Sequence, residues 1–597
     1  MPKQSLPEWD LSVFYRDMKD PKIQKDLKNA ELSAVSFAKK YRGKLAAVSD
    51  KQLAKILSDY EDLIELAMKP DIYGFLLFSM DSSKPEVGAF YQGLKVQTTK
   101  IFEHFVFFEL ELIKFSDIKF KQFIISKALI NYKRYLERLQ KQKQHRLSEK
   151  EEIILAQKAL TSRSAFVRLF DQLNSKRRFK FEFKGKKYDL SQTEILNLRM
   201  DLNRGLRKAA AEGFTKGLQE ASEINTYILN TLMQDSEIVE RFTNYTTLAQ
   251  ARHEDNEIDE QAVETMCQAV LSQNRIIQNY LKIKAKKLKL PQLKFYDTLV
   301  PVFSDDSKVT FGQMKKEILD SFKVFDPKYA EMANDFFEFG RIDAPLRKGK
   351  SGGAFNMSAS PKTPSFILVN FDSKQQDVST MAHELGHGIN GDLNREQNLV
   401  NYGNPTILAE VASLFSELIH FDYKFKHAKD DSEKAGLLAG KIEDLAGNIF
   451  RGVSVYNFEY ECHKTSRESG ELTTEQINKL WIDTQTKMYK DAIDTTGGYE
   501  ICWSYIAHFY HFSPAFYYYG YAFGALTALA LYAQYRLLED KTEFIQKYYE
   551  FLSVGSSVSP YDRLKAFGFD INSKEYWLNA LGVLDTFLQD FKKIHKS

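Results

Sequence analysis

The string His383-Glu384-Leu385-Gly386-His387 carries the most chemical information in this 597-residue chain. On a helix, histidines four residues apart project from one face and can share a metal ion, and Glu384 beside them can take the proton of a water held there. Met381, Leu385 and Ile389 supply apolar positions for such a helix, and Asp377 or Ser379 is placed to cap its start. Chance alone gives the His-Glu-x-x-His pattern to about one or two chains per hundred of this composition, so a third ligand has to be found elsewhere. It is offered by Leu408-Ala409-Glu410-Val411-Ala412-Ser413-Leu414-Phe415-Ser416-Glu417, an apolar helical pattern with two acids on one face. A carboxylate on an apolar stripe is costly unless it is paired or metal-bound. Glu410 is therefore the candidate third ligand, and Glu417, two turns on, the candidate acceptor that orients a ligand histidine. The plainer alternative is that both are acids at a helix edge. His420 competes with Glu417 for the orienting role.

Peptide hydrolysis puts negative charge on the attacked carbonyl oxygen, and neutral O–H or N–H donors in a dry site stabilise it. The segment 501–535 has no Asp, Glu, Lys or Arg and contains His508, His511, Tyr517, Tyr519, Gly520 and Tyr521. These rings either serve as such donors or substrate contacts, or fill a core. Two further features suit a peptide. The run Phe366-Ile367-Leu368-Val369-Asn370-Phe371 reads as a strand whose edge, at Phe366, Leu368 and Asn370, pairs with an extended backbone. The loop with Gly352, Gly353 and Ala354 can approach the substrate backbone, and it lacks the order of a phosphate-binding loop.

The elements that must position these residues are mostly helices. Residues 22–70 and 85–145 alternate charged and apolar positions at helical spacing, and 191–290 has the same texture. Residues 176–190 alternate aromatic and charged residues at period two and turn at Gly185, which predicts a hairpin with one packed face rather than a nucleic-acid stripe. The expected organisation is an N-terminal helical domain over 1–190, with the hairpin near 176–190, and a catalytic domain over 191–597. Lys+Arg 83 against Asp+Glu 80 gives a net charge of +3, which excludes a strongly basic nucleic-acid binder. The hydrophobic fraction of 43% is enough for a large core. Three dispersed cysteines, Cys267, Cys462 and Cys502, argue against a disulfide framework and for a reducing compartment. The polar stretch Met1–Asp10 has no signal-peptide core, so the expectation is a cytoplasmic chain. The uncharged segment 501–535 is expected to be a buried helix rather than a membrane span.

In combination, Gly353-Ala354-Phe355, His383-Glu384-Leu385-Gly386-His387, Ala409-Glu410-Val411-Ala412-Ser413 and His508-Phe509-Tyr510-His511 with the tyrosine cluster resemble the thimet oligopeptidase family of zinc peptidases, most of all its oligoendopeptidase F branch. The resemblance spans about 353–524. It implies a mainly α, zincin-type fold, two lobes around a deep substrate channel, with a small sheet beside the metal-binding helix. It implies one Zn²⁺ per chain on His383, His387 and Glu410, with Glu384 as general base and Tyr521 stabilising the tetrahedral intermediate. His508 or His511 matches a substrate-contacting histidine, and the spacing to the tyrosines leaves the choice among His508, His511, Tyr517 and Tyr519 open. The expected function is an endopeptidase acting on short peptides, without nucleic-acid or membrane partners, as a monomer or small homo-oligomer. A zinc carboxypeptidase of similar fold and a non-enzymatic helical peptide-binding protein are the alternatives.

Overall fold

The computed structural model describes residues 6–303 and 307–596, so the first five residues of the polar N-terminal stretch lie outside the described residues. The protein is mostly helical with a few small sheets. Its helices form where apolar residues recur at helical spacing behind a cap. Asp50–Met80, for example, starts at a capping box between Ser49 and Gln52 and buries Leu53, Ile56, Leu57, Tyr60 and Leu63.

Among the described residues seven short strands occur: β1 (Phe179–Phe183), β2 (Lys186–Leu190), β3 (Leu293–Lys294), β4 (Ile342–Asp343), β5 (Phe355–Met357), β6 (Phe366–Leu368) and β7 (Ile493–Asp494). The predicted hairpin is β1–β2, turned by Lys184 and Gly185 at positive φ. Its aromatic face is packed: Phe179 and Phe181 lie where Cβ atoms on Gly217 and Gly213 of helix Arg204–Gln219 would stand. β3 and β7 pair in parallel. The third sheet has the order β4-β6-β5, with β4 parallel and β5 antiparallel to β6.

The chain forms two compact units, each discontinuous. The first comprises Met1–Glu149, Asp305–Lys426 and Gln534–Phe567, and the second Lys150–Ser304, His427–Ala533 and Gly568–Ser597. No single cut, at 190 or elsewhere, separates them. In the first unit, Phe366 and Leu368 of β6 join a core with Phe14, Leu57, Tyr73 and Leu76, and Trp9 Nε1 donates to the carbonyls of Ile367 (2.8 Å) and Arg341 (3.1 Å).

Two helices carry most of the candidate site: α1 (Gln375–Leu393) and α2 (Ala409–His427). The uncharged segment 501–535 is not one helix. It divides into 3₁₀ turns over Tyr499–Tyr505, the short helix His508–His511 and helix α3 (Tyr519–Leu537), in which Ala522, Phe523, Ala525, Leu526, Leu529 and Leu531 are fully buried. Its lack of charge follows from that burial on several faces. Among the described residues no helix is long and apolar enough to cross a membrane. All three cysteines are free and buried.

Candidate metal centre and active site

α1 buries Val378, Met381, Leu385 and Ile389, and this packing turns His383 and His387 to one side. The helix begins at Gln375, so Ser379 lies within it. Asp377 acts from the third position, where its carboxylate accepts the backbone N–H of Lys374 (3.0 Å) and Asp372 (2.8 Å). Gly386 lets α2 come close. A Cβ there would stand 2.6 Å from Ser416 Oγ, 2.7 Å from the Ala412 carbonyl and 2.7 Å from Ser413 Cα. The approach brings Glu410 to the histidines: its Oε2 is 3.4 Å from His383 Nε2 and 3.5 Å from His387 Nε2, and the two Nε2 atoms are 3.1 Å apart. An ideal tetrahedral zinc site, with bonds of about 2.0–2.1 Å, has neighbouring ligand atoms about 3.3–3.4 Å apart. The three side chains fit such an ion, with one position left over for water or substrate; their ligand atoms all lie within 4.8 Å of one another.

Glu417 Oε1 lies 2.5 Å from His383 Nδ1. That contact gives Nδ1 the proton and leaves Nε2 for a metal. Ser413 Oγ donates to Glu410 Oε2 at 3.2 Å and steadies the carboxylate. Burial pulls the His383 imidazole down, but bonds to Glu410 and Glu417 override it and hold its pKa well above the ordinary value. Burial raises Glu410, and its bonds to His383 and His387 more than reverse this, so it stays far below the usual carboxylate range. Both shifts mark a place where two acids attract positive charge. Glu384 behaves differently. Burial pushes its pKa up, against the pull of the two histidines. It is 5% exposed, and its Oε2 is buried without a hydrogen-bond partner.

A cavity of about 400 Å³ opens beside these groups, lined by Glu384, His387, Asn356, Asn390, Tyr402 and Asn404 among others. The strand expected to offer an edge, Phe366–Leu368, does not: as β6 it is the middle strand, hydrogen-bonded on both sides, with Phe366 and Leu368 buried. The outer edge of the sheet next to the cavity belongs to β5, whose Phe355 and Asn356 line it together with Ala354. Asn370 is also committed locally, because its side-chain amide donates to the carbonyls of Ser351 (2.9 Å) and Gly353 (2.8 Å) and pins the glycine loop. Gly353 has φ +73°, and a Cβ on Gly352 or Gly353 would meet nothing within 4 Å. His420 pairs with Glu317 (3.3 Å) and lies 3.4 Å from Ser321 Oγ rather than serving a ligand histidine.

The histidine–tyrosine cluster lies in the second unit. His508 Nε2 and Tyr521 OH are 3.1 Å apart, and burial, then the charges of Arg451 and His511, lower the His508 pKa to about 4, leaving that imidazole neutral at neutral pH. Tyr517 stacks on Phe512 with centroids 4.0 Å apart. Tyr519 is fully buried, and its hydroxyl meets Asn256 Nδ2 (2.7 Å) and His253 Nδ1 (3.1 Å), a structural use of that group. His511 pairs with Asp171 at 2.7 Å. Residue patterns alone missed the β5 edge, which is set by its pairing with β6.

A family model described as Peptidase family M3 matches residues 198–583, and one described as Oligopeptidase F matches 111–179. The chain is 26% identical over 602 residues to an oligoendopeptidase F homolog of Lactococcus lactis subsp. lactis, covering 98% of this chain and 97% of that protein. It is 27% identical over 547 residues to oligopeptidase PepF of Bacillus subtilis, covering 90% of this chain and 80% of that one. The fold is that of a Chlamydophila abortus structure (TM-score 0.85, 23% identity, 98% of both chains). It is also that of oligoendopeptidase-F from Enterococcus faecium (TM-score 0.72, 20% identity, 96% of this chain and 99% of that one).

Proposed function

Because the chain belongs to Peptidase family M3 and is a peptidase, we propose that it is a zinc-dependent endopeptidase cutting internal bonds of short peptides. The observation that carries this reading is the buried Glu384 carboxylate, with one oxygen unpartnered, beside three ligand atoms at tetrahedral spacing. The names of the Lactococcus and Bacillus relatives support the substrate class. His383, His387 and Glu410 hold one zinc, and Glu417 keeps His383 aimed at it. Zinc bound there supplies Lewis-acid polarisation of the scissile carbonyl and lowers the pKa of water to about 7. Glu384, its basicity raised by burial, accepts the proton of the attacking water and delivers it to the leaving nitrogen. The β5 edge pairs with the extended peptide backbone. By the family resemblance, Tyr521, hydrogen-bonded to the neutral His508, is the donor to the developing oxyanion.

The test is zinc analysis together with hydrolysis of an internally quenched peptide blocked at both ends, by the wild type and Glu384→Gln. Both proteins should hold about one zinc, while turnover by the variant falls about 10²–10⁴-fold. Equal rates would end the reading, and cleavage confined to peptides with a free C-terminus would turn it into a carboxypeptidase.

A further inference from the structure

His508 and Tyr521 stand 13 residues apart in the chain and meet because the segment between them folds back. The helix His508–His511 leads into a turn over 512–518, and α3 begins at Tyr519. Inside that turn Phe516 has φ +67° and is 1% exposed, its ring centroid 4.7 Å from that of His463. A bulky side chain in the left-handed region is costly and persists where the surroundings over-determine it, a situation that recurs at active sites.

Side chains from three other elements hold the turn, all of them within the second unit. Arg252, 5% exposed, donates from Nε to the Ala515 carbonyl (3.1 Å) and from Nη2 to the Pro514 carbonyl, and its Nη1 bonds Asp255 (2.8 Å). Arg163 Nη2, from the helix Arg163–Lys176, donates to the Phe512 carbonyl. The Phe516 N–H is directed at the buried carboxylate of Glu459 on the helix Gly452–Ser469. Backbone groups taken out of water need such partners. The helix that carries Arg252, Gln250–Asp255, also reaches α3: His253 Nδ1 (3.1 Å) and, just beyond the helix, Asn256 Nδ2 (2.7 Å) meet the hydroxyl of Tyr519. One short helix thus fixes both the turn and the first residue of the helix that carries Tyr521.

We propose that Arg252 is a positioning residue for peptide hydrolysis: with Arg163 and Glu459 it sets the turn over 512–516 so that His508 and Tyr521 meet and the Tyr521 hydroxyl is held ready for the oxyanion. The proposal rests on the reading of Tyr521 as the oxyanion donor. Arg252 acts through the turn and not on the substrate. The job needs an arginine, because only a planar fork reaches two successive carbonyls and an acid at once. Without that fork the Pro514 and Ala515 carbonyls lose their donor, the turn relaxes and the His508–Tyr521 contact opens.

Two readouts on the full-length, zinc-loaded protein test this. The first needs no turnover: the His508 ring is titrated by NMR in histidine-labelled protein, with His508→Gln to assign its signal. In the wild type it should titrate near pH 4. In Arg252→Lys, which keeps the charge but loses the fork, its pKa should climb toward the ordinary value of about 6.5 as the pair opens to water. An unchanged His508 titration in that variant would overturn the proposal. The second readout is a double-mutant cycle with an internally quenched, end-blocked peptide. Arg252→Lys should lower kcat about 10- to 100-fold with KM little changed. Tyr521→Phe should lower it about 10²–10³-fold, and the two changes together should cost no more than Tyr521→Phe alone. Losses that multiply would overturn the proposal, because Arg252 would then act other than through Tyr521. Wild-type kcat in Tyr521→Phe would instead end the oxyanion reading, and the proposal with it. Should Arg252→Lys fail to fold, Arg163→Gln, at a half-buried residue, carries both measurements with the same expected and overturning results.

Discussion

Glu417 reaches the candidate metal only through His383, and its 2.5 Å contact with Nδ1 makes a specific demand on that ring. A negative acceptor behind a ligand histidine fixes the tautomer and raises the basicity of the coordinating nitrogen. Glu417→Gln keeps an acceptor oxygen but removes the charge, so zinc affinity, read by competition with a chelator, should fall about 10- to 100-fold. The same pair of acids sets a pH dependence. In the metal-free protein Glu410 and Glu417 hold His383 protonated well above the ordinary imidazole range, and zinc must expel that proton to bind. Affinity should therefore rise with pH, about tenfold per unit, and go on rising above pH about 8, where a histidine with the ordinary pKa of about 6.5 has finished titrating. Titration across pH 6–9 checks this, and a plateau beginning between about 7.5 and 8 would count against it.

At the scale of elements, the centre depends on how closely two helices approach. α1 and α2 meet at Gly386, where Ser416 Oγ, the Ala412 carbonyl and Ser413 Cα leave no room for a methyl group. Gly386→Ala should push α2 outward and cost about 1–3 kcal/mol, the range for an overpacked core. Because Glu410 rides on α2, the variant should lose zinc as well as thermal stability. A drop in melting temperature with zinc content intact would show that Glu410 follows the histidines without this contact. The distance from pattern to element decides how much of the site the sequence reveals. The His383/His387 pair and the acids on the apolar stripe of α2 are legible because one helical period generates each. The strand character of 366–371 is legible from its apolar run, but its place in the middle of the sheet is not. That place depends on pairing with Phe355–Met357 and Ile342–Asp343, which no local pattern encodes. The hydroxyl of Tyr519 looks as available as that of Tyr521 until His253 and Asn256, more than 250 residues earlier, are seen to hold it.

At the scale of the whole molecule, the ligands and the tryptophans are unevenly distributed. His383, His387 and Glu410 all belong to the first unit, which contains one tryptophan, Trp9; Trp481, Trp503 and Trp577 are buried in the second. An ion that binds only the folded first unit stabilises it by RT ln(1 + [Zn]/Kd), about 4 kcal/mol at a thousandfold excess over Kd. Each unit has its own buried core, so the two need not unfold as one transition. Removing zinc with a chelator should lower the calorimetric onset by several degrees. The midpoint followed by tryptophan emission, dominated by the second unit, should move less. In Glu410→Ala both signals should become insensitive to zinc, because the ion has lost the ligand contributed by α2. Equal shifts of heat and fluorescence in the wild type would mean that the two units unfold together, and the metal's stabilising energy would then be shared by the entire chain.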